Sequence, residues 1–270
     1  MRDPVKITSR HNPGLRRFRL ALEGRNRGAV LLEGVKLVGE ALEGALRPLE
    51  ALVSPVLPSR PGGAELLERL LALPRPFRVL EAPERVFDGL SGVERSQGVL
   101  LLVERKTWEE EELLGEGRGK TFLLVLCGVQ DPGNVGALVR SARAAGATGA
   151  LLLPGTADPL KPKALRASAG QALSFPFLRM ESDARALDFL RSRGIPLVGA
   201  HAEGGLSFRE APWRRPLALA LGAEGAGLPV EIREAARRLV SIPMKGGVES
   251  LNLAVAGALL LFEAARGEGE

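Results

Sequence analysis

Beyond residue 120 the chain alternates apolar runs of strand length with segments of helical period. The runs are TFLLVLCGV, GALLLP, LSFPFLR, IPLVGAHA, PLALALG and RLVSIPM, and helices are predicted near 134–146, 160–170, 183–194, 229–238 and 250–266. Strands that are apolar on both faces and interleaved with helices predict an α/β fold with a mostly parallel sheet covered on both sides. Upstream, FRLALEGRNRGAVLLEGVKLVGEALEG reads as helix, short strand and helix. Strand candidates ALVSP, FRVLEAP and SQGVLLLVE follow, with helical segments between them. The two regions are separated by ERKTWEEEELLGEGRGK, which has neither apolar period. The expected organisation is a smaller α/β domain at 1–104, a linker at 105–120 and a larger α/β domain at 121–270.

Composition narrows the class. At 270 residues and 45% hydrophobic, the chain can bury two cores of ordinary size. No run of about 18 uncharged apolar residues occurs, and MRDPVKITSRHNPGLRRFR lacks the apolar stretch of a signal peptide, so a cytoplasmic protein off the membrane is expected. Cys127, the single cysteine, lies within FLLVLCGV, where a thiol acts as a small buried hydrophobe. Two histidines and one cysteine make a metal site an unpromising expectation.

Charge adds a partner. The net charge is +5, and residues 1–30 hold eight basic side chains, Arg2, Lys6, Arg10, Arg16, Arg17, Arg19, Arg25 and Arg27, against Asp3 and Glu23. Contact with phosphate and a solvated helix face both fit this stretch. An aromatic content of 4% without tyrosine argues against base stacking as the main mode of nucleic-acid contact.

In an open parallel sheet, ligands gather at the carboxyl ends of strands, so the loops after the strands are where chemistry is expected. DPGNVGALVRSARAAGA (131–147) places Asn134 as a helix cap or a functional amide, with Arg140 six residues on. LALALGAEGAGLP (217–229) supplies three glycines and Glu224 after a buried strand; such glycines serve a turn or a close approach to ligand. SIPMKGGVESLNLAVAGALLLFEAAR (241–266) leads into an apolar helix with Ser250 and Asn252 at its entrance, as caps would be. Only four asparagines occur in the chain, and two of them are Asn134 and Asn252.

Together NVGALVRSARAAGA, LGAEGAGLP and IPMKGGVESLNLAVA resemble, in order and spacing, the three signature motifs of the SpoU branch of knotted RNA methyltransferases. The N-terminal SRHNPGLRRFR, LLEGVKLVGEAL and RSQGVLLLVE resemble the substrate-binding domain of several ribosomal-RNA members, itself similar to a ribosomal protein that binds RNA kink-turns. The resemblance implies a deep trefoil knot, an exception to the rule against threaded chains. It implies S-adenosylmethionine as cofactor, held by Gly222, Ile242 and Leu251 with Leu221, Pro243 and Met244 adjacent. Asn134, Arg140, Glu224, Ser250 and Asn252 would form the catalytic surface, and the C-terminal helix would pack on its twin in a homodimer. The implied reaction is methyl transfer to a ribose 2′-hydroxyl, in 23S rRNA rather than tRNA. Arg10, Arg16, Arg17, Arg19, Arg25 and Arg27 are the candidate RNA contacts. Glu224 is expected to fix Arg140 or the loop geometry, and Ser250 to cap a helix or meet phosphate.

Rival readings fit less well. The G-x-G-x-x-G of dinucleotide enzymes is absent, since Gly222, Gly225 and Gly227 run in the reverse spacing. His201 and Glu203 form an H-x-E pair, but the P-C-x-x-C of zinc deaminases is missing downstream. A non-catalytic RNA-binding or assembly protein is the alternative from another class.

Overall fold

The computed structural model describes residues 3–44, 46–117, 119–202, 204–247 and 249–266. The chain forms two compact units, Met1–Lys106 with Leu160–Pro162, and Thr107–Pro159 with Lys163–Glu270.

The first unit contains β1 (Val5–Lys6), α1 (Arg16–Leu22), β2 (Ala29–Glu33), α2 (Val35–Glu43), β3 (Pro48–Val53), α3 (Gly63–Ala72), β4 (Arg78–Glu81), α4 (Glu84–Phe87) and β5 (Val99–Glu104). Its sheet has the order β1-β4-β3-β5-β2, with β5 antiparallel to both neighbours. That direction puts the end of β5 beside the starts of the other four strands. Leu31, Leu52, Leu80, Leu100 and Leu102 form the sheet side of a core closed by Leu15, Phe18 and Phe87. Gly34 opens α2 at φ +99°, a conformation that favours glycine, and the Gln97 carbonyl accepts the otherwise unpaired Val35 N–H at 2.8 Å.

The second unit carries β6 (Phe122–Cys127), α5 (Pro132–Ala144), β7 (Gly149–Leu152), α6 (Pro162–Ala167), β8 (Phe177–Arg179), α7 (Asp183–Ser192), β9 (Leu197–Ala200), β10 (Leu206–Ser207), β11 (Leu217–Gly222), α8 (Val230–Ala235), β12 (Arg238–Ser241) and α9 (Leu253–Arg266). Its seven strands are all parallel, in the order β10-β12-β9-β11-β6-β7-β8. The central strands β6 and β11 are buried along their whole length, as their unbroken apolar runs require. Cys127 is buried there, and loss of hydration, with Asp183 nearby, pushes its thiol far above the usual range.

Several elements differ from the sequence expectation. The runs LSFPFLR, IPLVGAHA and RLVSIPM pair over only three or four residues each, and the helix expected over 160–170 stops at Ala167, before Ala169 turns into a left-handed conformation. The stretch expected as a linker contributes to the second core from Thr107 onward. Leu113 is fully buried, Trp108 and Leu114 pack against the same cluster, and Glu110 pairs with Arg185 at 2.8 Å and with Arg193. Three apolar residues are too few to set a period, so only the surrounding core gives them a place. Among the described residues no helix is long and apolar enough to cross a membrane.

Candidate active site

The loop after β6 is organised by Asp131. Its carboxylate accepts from Gly133 N at 2.6 Å at the start of α5 and pairs with Lys163 Nζ at 2.9 Å. The hydrogen bond from Lys163 and that from the Gly133 N–H hold its pKa below the usual carboxylate range. Asp131, rather than Asn134, is therefore the helix cap. Released from capping, Asn134 donates through Nδ2 to Glu224 Oε1 at 2.7 Å, across 90 residues of sequence.

Asn252 joins the same group. Its Oδ1 caps α9, accepting from Ala254 N at 2.9 Å and Val255 N at 3.3 Å. Its Nδ2 lies 3.4 Å from Asn134 Oδ1 and 3.5 Å from Glu224 Oε1. One asparagine thus ends a helix and holds a polar triad with the same amide. Arg140 is not drawn in: among the described residues no hydrogen bond or ion pair joins it to Asn134, Glu224 or Asn252. Of the two roles expected for Glu224, fixing Arg140 or the loop geometry, the described contacts show only the second: Glu224 takes the Asn134 amide and so ties two loops together. Six residues of α-helix separate Asn134 from Arg140, which turns Arg140 about 120° around α5.

Beside the triad lies a cleft of about 590 Å³ at the carboxyl ends of β9, β11 and β12. Leu221, Gly222, Ile242, Met244 and Leu251 line it, as do Glu224, Ser250 and Asn252. Pro243 is not among its lining residues, while Ile242 and Met244 on either side of it are. Gly222 is required by contact: a Cβ there would stand 2.1 Å from the Gly227 carbonyl group. Ala223 and Gly227 exchange two backbone hydrogen bonds, of 3.1 and 2.9 Å, which draw the loop back onto the strand. Gly225 and Gly227, at φ +82° and +67°, allow that turn.

Sequence reasoning missed the Ala200–Ala202 side of the cleft, with His201, although the carboxyl end of β9 was a signal for it. It also missed Val240 behind Ile242, and Leu253, Ala256 and Leu260 on α9. Glu203, the other half of the H-x-E pair, lies outside the described residues. Among the described lining residues are two carboxylates, Glu224 and Glu249, and no lysine or arginine. Such a lining suits an apolar body bearing positive charge.

A family model described as the SpoU rRNA Methylase family matches residues 121–262. The chain belongs to that family. Over 191 residues it is 37% identical to the 23S rRNA (guanosine-2′-O-)-methyltransferase RlmB of Ralstonia nicotianae, spanning 70% of this chain and 77% of the relative. Among solved structures, the AdoMet-bound rRNA methyltransferase from Sinorhizobium meliloti superposes with a TM-score of 0.82 at 30% identity, covering 97% of both chains. The SpoU methyltransferase AviRb from Streptomyces viridochromogenes, solved in complex with the cofactor AdoMet, gives 0.80 at 27% identity over 95% of this chain and 99% of that one.

Two further surfaces of this SpoU family chain carry candidate roles. On α9, Val255, Leu259 and Phe262 are exposed, and with Ala137 of α5 and Phe208 they form an open apolar groove. In the first unit Arg10, Arg16, Arg17, Arg19, Arg25 and Arg27 are all exposed, whereas Arg2 lies outside the described residues. Arg25 pairs with Glu23 at 3.2 Å and Arg19 donates to the Arg10 carbonyl at 2.9 Å, so part of this charge is spent within the N-terminal segment.

Proposed function

We propose that this protein is an S-adenosylmethionine-dependent methyltransferase acting on a ribose 2′-hydroxyl of 23S rRNA in the cytoplasm. The observation that carries the reading is the triad Asn134, Glu224 and Asn252, set at the mouth of a cation-tolerant cleft at the carboxyl ends of parallel strands. S-adenosylmethionine fits the donor set: the apolar walls Leu221, Ile242, Met244 and Leu251 suit its adenosyl part, and the carboxylates suit its positive charge. When bound it supplies an electrophilic methyl group.

The residues of the chain then have two tasks, to align a ribose and to make its hydroxyl reactive. Alignment alone contributes about 7–11 kcal/mol in the best intramolecular cases. Asn134 and Asn252 orient the ribose or the loop backbone, each held by Glu224, and Ser250 lies at the same rim for a phosphate or hydroxyl. Arg140 is the cation of the site. A guanidinium stays protonated, its pKa lying above about 12, so its role is to position the target phosphate and stabilise developing alkoxide charge. Arg140→Lys is accordingly expected to lose about 10²-fold or more in rate, with no new ionisation in the pH-rate profile. A profile that moved with the lysine pKa, at retained activity, would make this residue a true base.

Arg140 meets the cleft across a homodimer. That reading is supported by Ala137, one turn earlier on α5 and on the same side of the helix, which lines the apolar groove of α9. An exposed apolar stripe of this kind marks an interface. Phe262→Glu is expected to reduce the mass in sedimentation from twice the 28.7 kDa protomer to one protomer, and methyl transfer should fall with it. A trefoil knot fits the same region, supported by the passage from β12 to α9, whose Gly257 packs directly against Leu138 of α5 and Leu221 of β11. The first unit serves as the RNA-binding domain.

Two measurements test the whole reading. S-adenosylmethionine is expected to raise the melting temperature of the purified protein, and a strain lacking it should lose one ribose methylation in 23S rRNA. A protein that binds RNA but shows no cofactor shift would be a binding or assembly factor.

A further inference from the structure

The first unit contains a buried carboxylate that no fold requirement explains. Glu50 lies in the apolar strand β3, next to a register shift at Pro48, and is 1% exposed. Burying a carboxylate is costly unless it is paired. Two arginines converge on it. Arg78, its direct partner across β4, donates to Oε1 at 2.6 Å, and Arg17 of α1 reaches within 4.0 Å of Oε2. Oε2 itself accepts no hydrogen bond. The two guanidinium groups keep 62% and 49% of their side chains exposed.

A guanidinium is a planar fork of five donors, so an arginine that uses its inner edge on Glu50 still presents its outer edge to solvent. The three groups together carry one net positive charge. The surroundings carry a net charge of the same sign, although Arg47 pairs with Glu104 at 3.7 Å and Arg25 with Glu23 at 3.2 Å. The starts of β2, β3 and β4 share one edge of the sheet, and just before them come Arg25 and Arg27, Arg47, and Arg75. At the opposite edge, Glu33, Glu84, Asp88 and Glu94 are interleaved with Arg60 and Arg95.

We propose that Arg17 and Arg78, pre-oriented by buried Glu50, form a clamp for a backbone phosphate of the RNA substrate at the basic edge of the first sheet. Glu50 is the positioning residue; the arginines make the contact. The proposal rests on the RNA methyltransferase reading and adds where and how the RNA backbone is gripped. It also explains a carboxylate inside a basic patch, since a fixed guanidinium loses less freedom on meeting phosphate than a mobile one.

The test uses the full chain, an in vitro 23S rRNA transcript and a titration of salt. Arg17→Ala and Arg78→Ala are each expected to weaken binding several-fold and to lower the slope of log K against log salt by about 0.7–0.9, one phosphate contact each. Glu50→Gln separates positioning from simple charge, because it removes a negative group from a basic surface. A surface that merely attracts RNA would then bind more tightly; the clamp requires weaker binding, at an unchanged S-adenosylmethionine melting shift. Equal or tighter binding by Glu50→Gln overturns the proposal. If Glu50→Gln does not fold, Arg17→Lys and Arg78→Lys decide: both keep their charge, and the clamp requires weaker binding at the wild-type salt slope, while wild-type affinity overturns it. Failure of the wild-type protein to bind the transcript counts instead against the RNA methyltransferase reading itself.

Discussion

Asn134→Ala is expected to lower methyl transfer about 10²-fold, the usual consequence of an ångström-scale misplacement at a reacting centre, with cofactor affinity and melting temperature close to wild type. The expectation follows from a division of labour at the start of α5. Asp131 satisfies the helix end through the Gly133 N–H, and Asn134 spends its amide on Glu224. Removing Asn134 leaves Glu224 Oε1, among the described residues, with only the 3.5 Å contact from Asn252, so the carboxylate is free to turn away from the cleft. Asp131→Ala should show the reverse pattern, with stability falling by about 1 kcal/mol for the lost cap. Chemical denaturation and single-turnover methylation of the two variants measure both quantities. A large loss of stability in Asn134→Ala, with turnover retained per folded molecule, would return that residue to a capping role.

Gly222→Ala should abolish the cofactor-induced rise in melting temperature and destabilise the protein by about 1–3 kcal/mol, the range for overpacking a filled interior. The added methyl would meet backbone on the opposite side of the loop, at 2.1 Å from Gly227 and 2.4 Å from Leu228 N. No side-chain rotation relieves such a contact; the Ala223–Gly227 turn has to open, and it forms one wall of the cleft. Gly225→Ala provides the contrast. Nothing lies near its Cβ position, and its penalty comes only from a φ of +82°, about 1–2 kcal/mol. Retained cofactor shift in Gly222→Ala would mean that this turn is no part of the binding wall.

Much of the second unit was legible because its strands are apolar on both faces. FLLVLC and LALALG announce buried parallel strands without any tertiary information, and the glycine-bearing loops after them mark where a ligand gathers. The short edge strands were not legible. Leu206–Ser207 holds two residues in the sheet and has no period to detect, and Val5–Lys6 is the same case in the first unit. The stretch 107–120 escaped because its acidic residues dominate the pattern, while only Leu113, with Trp108 and Leu114 beside it, carries it into the core. In the site, Asn252 was readable as a cap and proves to be one. Asn134 sits at an equally plausible capping position, yet Asp131 takes that role, and nothing local distinguishes the two.

The sequence by itself determined the strand and helix alternation, the family motifs and the inventory of polar residues in three loops, since each depends on near neighbours in the chain. Tertiary structure alone decided which of those residues meet. Asn134, Glu224 and Asn252 touch because parallel strands deliver their loops to one edge, and Arg140 stands apart because six residues of helix turn it about 120° around α5, where it is exposed. The charge of Glu50 was visible from the start, but its meaning was not. A carboxylate at that position becomes a brace for Arg17 and Arg78 only when the fold brings β4 and α1 to it, and contact at that range is set by the fold rather than by separation along the chain.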